Sequence, residues 1–240
     1  MSALIFGDKI IYTCSKNAGS TIRNLFCDMV ILGKDFSCRD LNLAKPKKIT
    51  PLPKVIINMI QARASIPEKA ILEIAEKIGI EYHFGFEATI EGLTPYCIRR
   101  DPIKRFESCF SQKLHQPNFY SKVKSIENLI ENFDDIVTKP LKTYLNCFSF
   151  NDNFKTWQDL IVPRHFAPQS YTYGCNPSKF LQIFEMSEIN TKVHSLFENF
   201  FGQSLPVRHS NKGKKINLIH PDCYPAIKRL YEIDYASGWG

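Results

Sequence analysis

The sequence predicts an α/β fold, a parallel β-sheet flanked by helices on both faces. Three observations carry this reading. Short apolar runs rich in β-branched and aromatic residues recur as Lys9-Ile10-Ile11-Tyr12-Thr13, Pro95-Tyr96-Cys97-Ile98 and Phe180-Leu181-Gln182-Ile183-Phe184, the pattern of buried strands. Segments with helical spacing separate them, and strands alternating with helices form parallel sheets covered on both sides. The length of 240 residues suits one domain, residues 1–240, able to bury roughly 70–75% of its unfolded surface without staples.

The elements follow in order. After the strand at 9–13, Ser20 and Thr21 offer an N-cap, and Ile22, Leu25, Phe26, Met29 and Val30 recur at helical spacing. Residues 34–54 are rich in Lys and Pro and read as an exposed connection. Residues 66–78 read as an amphipathic helix stopped by Gly79. The second strand lies at 95–98, and Pro102 suits the first position of a helix running through Phe106 and Phe110. Helical patterns follow near 125–135 and 138–148, then a strand at 180–184, a helix over 187–200, a basic loop at 202–217 and a last helix at 224–233. There are no internal repeats and no low-complexity segment.

Composition narrows the function classes. Hydrophobic residues at 44% and charged residues at 23% are ordinary for a globular chain. No apolar run approaches the ~20 residues that span a bilayer. Residues 1–8 have no basic stretch and too short an apolar one for a signal peptide, so the expected location is the cytoplasm. The cysteines at 14, 27, 38, 97, 109, 147, 175 and 223 form no CxxC pair. They predict no zinc site and mostly small buried hydrophobes. The net charge of +7 favours an anionic partner: a nucleotide, a sulfated glycan or a nucleic acid.

Two segments carry the chemistry. Cys14-Ser15-Lys16-Asn17-Ala18-Gly19-Ser20-Thr21 joins a strand to a helix. Such a turn aims backbone N–H groups at one point, and the helix dipole adds positive potential there. Gly19 permits close approach, Ser20 and Thr21 supply hydroxyls, and Lys16 supplies a mobile charge. This is a phosphate cradle, or else an ordinary capped helix start. It is not a nucleoside-triphosphate P-loop, which places Lys directly after the last Gly; Lys16 precedes Gly19, and GxxxxGK occurs nowhere. The second segment is Arg99-Arg100-Asp101-Pro102-Ile103-Lys104-Arg105-Phe106-Glu107-Ser108. Asp101 and Pro102 suit a helix start, but a cap explains neither Arg100 nor Ser108. Arg100 offers a planar, two-pronged anion contact that Lys cannot copy. Arg105 lies at helical spacing from Asp101, suited to pair back to it.

Together these segments resemble the two donor-binding motifs of the sulfotransferases that use 3′-phosphoadenosine 5′-phosphosulfate. Ser-Lys-Asn-Ala-Gly-Ser-Thr stands in register with the family's Pro-Lys-Thr-Gly-Gly-Thr-Ser loop for the 5′-phosphosulfate. The second segment resembles its Arg-Asp-Pro-x-x-Arg-(apolar)-x-Ser motif, which implies that Arg100 and Ser108 hold the 3′-phosphate. Arg164-His165-Phe166-Ala167-Pro168-Gln169, the nearby Cys175 and the strand ending in Glu185 resemble the Golgi carbohydrate sulfotransferases. So do the late loop Arg208-His209-Ser210-Asn211-Lys212-Gly213-Lys214 and the ending Tyr231-x-x-Asp234. Tyr82-His83-Phe84-Gly85-Phe86 resembles, more distantly, a His-bearing segment of heparan sulfate 2-O-sulfotransferases. The chain carries neither that group's membrane anchor nor its secretory cysteine pattern, which implies a bacterial-type or viral cytoplasmic member.

The resemblance implies an enzyme with a P-loop-like sulfotransferase fold. Its donor contacts would be Lys16, Asn17, Ala18, Gly19, Ser20, Thr21, Arg100, Ser108, Arg208, Lys212 and Gly213. Lys16 would also stabilise the leaving phosphate, and His165 or His83 would be the base, with Glu87 a third candidate. The acceptor hydroxyl implied is on a carbohydrate. Trp157 and the Phe residues could stack on adenine or simply fill the core. No metal-ligand spacing is present, and such a transfer needs no metal. His165 is read as sitting in a Pro-flanked loop. The rival readings are a kinase-like phosphotransferase, which the missing GK[ST] disfavours, and a non-catalytic nucleotide- or polyanion-binding protein. The Lys clusters at 45–54 and 208–215 lack the interleaved aromatics of nucleic-acid binders.

Overall fold

The computed structural model describes residues 2–14, 16–34, 52–84, 92–113, 116, 119, 121–146, 161–205 and 219–240. The chain divides into two compact units, Met1–Arg99 with Ser178–Lys212, and Arg100–Pro177 with Gly213–Gly240.

The first unit is α/β. Its sheet contains β1 (Ser2–Phe6), β2 (Lys9–Thr13), β3 (Ile80–Phe84), β4 (Thr94–Arg99) and β5 (Gln182–Glu185), in the order β3-β1-β2-β4-β5. β2, β4 and β5 are parallel, with Tyr12 opposite Cys97 and Arg99 opposite Glu185. These are the three strands expected from the sequence, and they confirm its parallel core. The sheet as a whole is mixed, because β1 pairs antiparallel with both β2 and β3. The reason is local. β1 and β2 are joined by the two-residue turn Gly7-Asp8, with Gly7 at φ 55°, and so short a link permits only antiparallel pairing.

Leu4, Phe6, Ile11, Ile80, Tyr82, Tyr96, Ile98 and Phe184 share one face of the sheet. They form a core with α1 (Gly19–Gly33), α2 (Lys54–Ala64) and α3 (Glu68–Lys77), joined by Val193, Phe197 and Phe201. From the opposite face Ala3, Ile5, Ile10, Tyr12 and Cys97 are also buried. A sheet closed on both faces explains why its strands read as continuous apolar runs. α2 falls where the sequence predicts no element, and residues 35–51 of the expected connection lie outside the described residues.

The second unit, in its described residues, is helical. It contains α4 (Pro102–Lys113), α5 (Ile126–Glu131), α6 (Lys139–Asn146), α7 (Ile161–Phe166), α8 (Gln169–Tyr173), α10 (Tyr224–Leu230) and α11 (Glu232–Ala236); α9 (His194–Phe201) belongs to the first unit. Its core is aromatic: Phe106 packs edge-on against Phe166 at 5.1 Å and Tyr231 at 6.2 Å, and Phe110 against Phe119 at 6.2 Å. Such pairs add about 0.5–1.5 kcal/mol each beyond their burial. The last helix expected at 224–233 is broken at Tyr231. No described helix is long and apolar enough to cross a membrane.

Gly33, the last residue of α1, packs against Ile74 of α3 and Ile78, the residue that caps α3. A Cβ there would lie 2.8 Å from Ile78 Cδ1 and 3.2 Å from Ile74 Cγ2. Gly33→Ala gains about 1 kcal/mol of helix propensity but overpacks at a cost of about 1–3 kcal/mol. Urea unfolding should therefore show net destabilisation; a gain in stability would mean that the two helices are not this close.

Candidate functional site

The loop after β2 is built from unusual backbone. Asn17 N–H donates to Cys14 O at 3.1 Å, and α1 starts at Gly19 with Ala18 as its cap residue. Ser20 and Thr21 thus lie inside the first turn of α1, two and three residues past the observed cap, and not at the cap that the sequence assigned to them. Ala18 has no side chain with which to cap, and the first turn contains no acidic residue. Lys16 (φ 69°) and Ala18 (φ 59°) both adopt the left-handed region, which costs a residue with a Cβ roughly 1–2 kcal/mol. Lys16, Gly19, Ser20 and Thr21 are half-buried. Ser20 Oγ accepts from Arg23 at 3.2 Å.

One side chain holds this loop in place. Asn17 is fully buried and donates through Nδ2 to Ile98 O of β4 at 2.9 Å. The loop is thereby tied to β4. Next to Ile98, Arg99 Nε donates to Glu185 Oε1 at 2.5 Å, joining the ends of β4 and β5. Nearby, burial pushes the Cys97 thiol far above its ordinary range, so it is an inert core residue.

In the second unit the segment after β4 divides its labour. Asp101 Oδ1 accepts from Lys104 N at 2.8 Å, which makes it the N-cap of α4 with Pro102 at the first helical position, as the sequence predicts. Arg105 is 1% exposed. Its guanidinium donates to His165 O at 3.1 Å and to Ala167 O, and lies 5.5 Å over the Tyr231 ring. Tyr231 donates to Phe166 O at 2.6 Å, and Cys109 Sγ lies 2.9 Å from His165 O. Arg105 therefore closes the C-terminal carbonyls of α7, a job other than the expected pairing back to Asp101. Arg100 is half-buried. Burial pulls its guanidinium below the ordinary arginine value, and a desolvated cation gains more from an anion than a hydrated one does. Ser108 is half-buried on α4, eight residues after Arg100.

His165 lies in α7, so the loop expected for it is in fact helix; its carbonyl, not its ring, makes the contacts described above. His83 lies in β3 opposite Ala3, and its side chain is outside the described residues, as are Arg208, Lys212, Gly213, Glu87 and Trp157. Among the described residues no group of three or more His, Cys, Asp or Glu could hold a metal ion. Four of the six described cysteines, Cys14, Cys27, Cys97 and Cys109, are buried; Cys175 is exposed. The sequence did not foresee the roles of Asn17 and Gln169, although both stood inside quoted motifs.

Two substitutions test the loop. Ala18→Gly loses about 0.8 kcal/mol of methyl burial and relieves about 1–2 kcal/mol of left-handed strain, so the unfolding free energy should stay level or rise by up to about 1 kcal/mol. Ala75→Gly, inside α3 and equally buried, loses burial and about 1 kcal/mol of helix propensity together. Equal costs at the two sites would contradict the backbone conformation of the loop.

Neither family models nor curated proteins nor solved structures contain a match to this chain.

Proposed function

We propose that this chain is a sulfotransferase that uses 3′-phosphoadenosine 5′-phosphosulfate, on a P-loop-like fold, and modifies a hydroxyl, with carbohydrate the preferred acceptor class. The observation that carries the reading is the Asn17–Ile98 hydrogen bond of 2.9 Å. It ties the loop at residues 14–21 to β4 within the first unit. The left-handed Ala18 supports it too, because a backbone that turns this way presents successive N–H groups to an anion.

The residues then take these roles. The N–H groups of residues 18–21, with Ser20 and Thr21, bind the 5′-phosphosulfate. Arg100 and Ser108 bind the 3′-phosphate, with Arg208, Lys212 and Gly213 as the further donor contacts that the resemblance implies. The acceptor oxygen attacks sulfur in line, an S–O bond to the acceptor forms, and the S–O bond to the 5′-phosphate breaks. The acceptor proton passes to a base, His165 or His83. Charge grows on the leaving phosphate oxygen, and Lys16 neutralises it. The products are a sulfate ester and adenosine 3′,5′-bisphosphate.

Arg100→Ala should weaken binding of adenosine 3′,5′-bisphosphate by tenfold or more, consistent with the about 1.5–3 kcal/mol of a charge-assisted hydrogen bond, and leave adenosine 5′-monophosphate unaffected. Equal weakening of both in calorimetry would remove Arg100 from the 3′-phosphate. Lys16→Ala should abolish turnover with labelled donor and retain bisphosphate binding. Unchanged turnover would exclude Lys16 from the chemistry.

A further inference from the structure

Gln169 is fully buried, as are Asp234 and Trp239. Burying a carboxamide is unfavourable unless its hydrogen bonds are satisfied, so its partners show what it is for. Gln169 Oε1 accepts from Arg100 N–H at 3.1 Å, and Nε2 donates to Arg100 O at 2.8 Å and to Trp239 O at 3.3 Å. The amide can be oriented only one way, because a flip would set its oxygen against two carbonyls. Both polar atoms of the Arg100 backbone are therefore held by one side chain, as two ladder bonds would hold them. Arg100 stands after the last residue of β4 and before the capping Asp101.

Gln169 is itself anchored. Asp234 Oδ2 accepts from Gln169 N–H and Oδ1 from Ser170 N–H, both at 2.8 Å. Trp239 N–H donates to Asp234 O at 2.8 Å, and Trp239 Nε1 donates to Gly174 O at 2.9 Å. The chain end thus grips both sides of α8.

From this geometry we infer that Gln169 is a positioning residue for Arg100, locked in place by Asp234, and that it sets how well the protein discriminates a 3′-phosphate from a 3′-hydroxyl. This rests on the proposed nucleotide reading and extends it. A guanidinium on a long side chain delivers a directed contact only if its Cα and backbone dihedrals are fixed, and the clamp acts on those dihedrals.

The test uses the full chain. Gln169→Glu keeps the acceptor for Arg100 N–H but places a carboxylate oxygen against the Arg100 and Trp239 carbonyls; Gln169→Met removes all three bonds at similar volume. Both should weaken adenosine 3′,5′-bisphosphate at least tenfold and change adenosine 5′-monophosphate less than twofold, and should speed exchange of the Arg100 amide hydrogen at least tenfold. Unchanged discrimination in folded variants overturns the inference. If neither variant folds, the wild-type Arg100 amide decides: slow exchange supports the clamp, and exchange at the rate of an open peptide overturns it. A wild type that binds both nucleotides equally overturns the sulfotransferase reading and with it the phosphate role of Arg100, whereas the exchange rate still reports whether the clamp exists.

Discussion

The candidate site depends on one constraint: the exit of β4 must be held still. Two buried carboxamides act on it. Asn17 binds the Ile98 carbonyl, and Gln169 binds the backbone of Arg100 two residues later. A strand exit is a place where ladder bonds stop and helix bonds have not begun, so its backbone groups need partners from elsewhere. Supplying them from rigid, buried side chains fixes direction as well as satisfying polarity. The same bond that steadies β4 also holds the left-handed loop whose strain would otherwise relax.

Three neighbouring arginines show how environment sorts identical side chains. Arg99 is engaged by Glu185 across the parallel pair. Arg105 is buried against the carbonyls that end α7 and against the Tyr231 ring. Arg100 is desolvated enough to shift its guanidinium downward while its backbone is clamped. The proposed 3′-phosphate contact rests on this last combination, a partly dehydrated guanidinium on a fixed backbone.

Much of this was legible in the sequence, for identifiable reasons. The three parallel strands were readable because burial on both faces makes them continuously apolar. The start of α4 was readable because Asp and Pro have local, position-specific roles. β1 and β3 are not legible as strands: Ser2–Phe6 is no shorter than β2, but its place depends on the turn at Gly7-Asp8 and on a partner distant in sequence. α2 was missed because Pro53 and Lys54 continue the Lys- and Pro-rich composition before it. The first helix was started two residues late because Ser and Thr are good caps by type, whereas the actual cap residue, Ala18, is set by the tether at Asn17. His165 was read as a loop residue because Pro163 and Pro168 flank it, yet Pro163 sits in the first turn of α7, where proline is tolerated. The clamp on Arg100 joins residues 100, 169, 234 and 239, and no local pattern encodes a contact over that separation.

In the proposed function one nucleotide is held by both phosphates. Phosphorus NMR of adenosine 3′,5′-bisphosphate titrated with the protein reads the two groups separately. Both the 3′- and the 5′-phosphate resonances should shift and saturate together at one equivalent. A shift confined to the 5′-phosphate, or no shift at either, would contradict it.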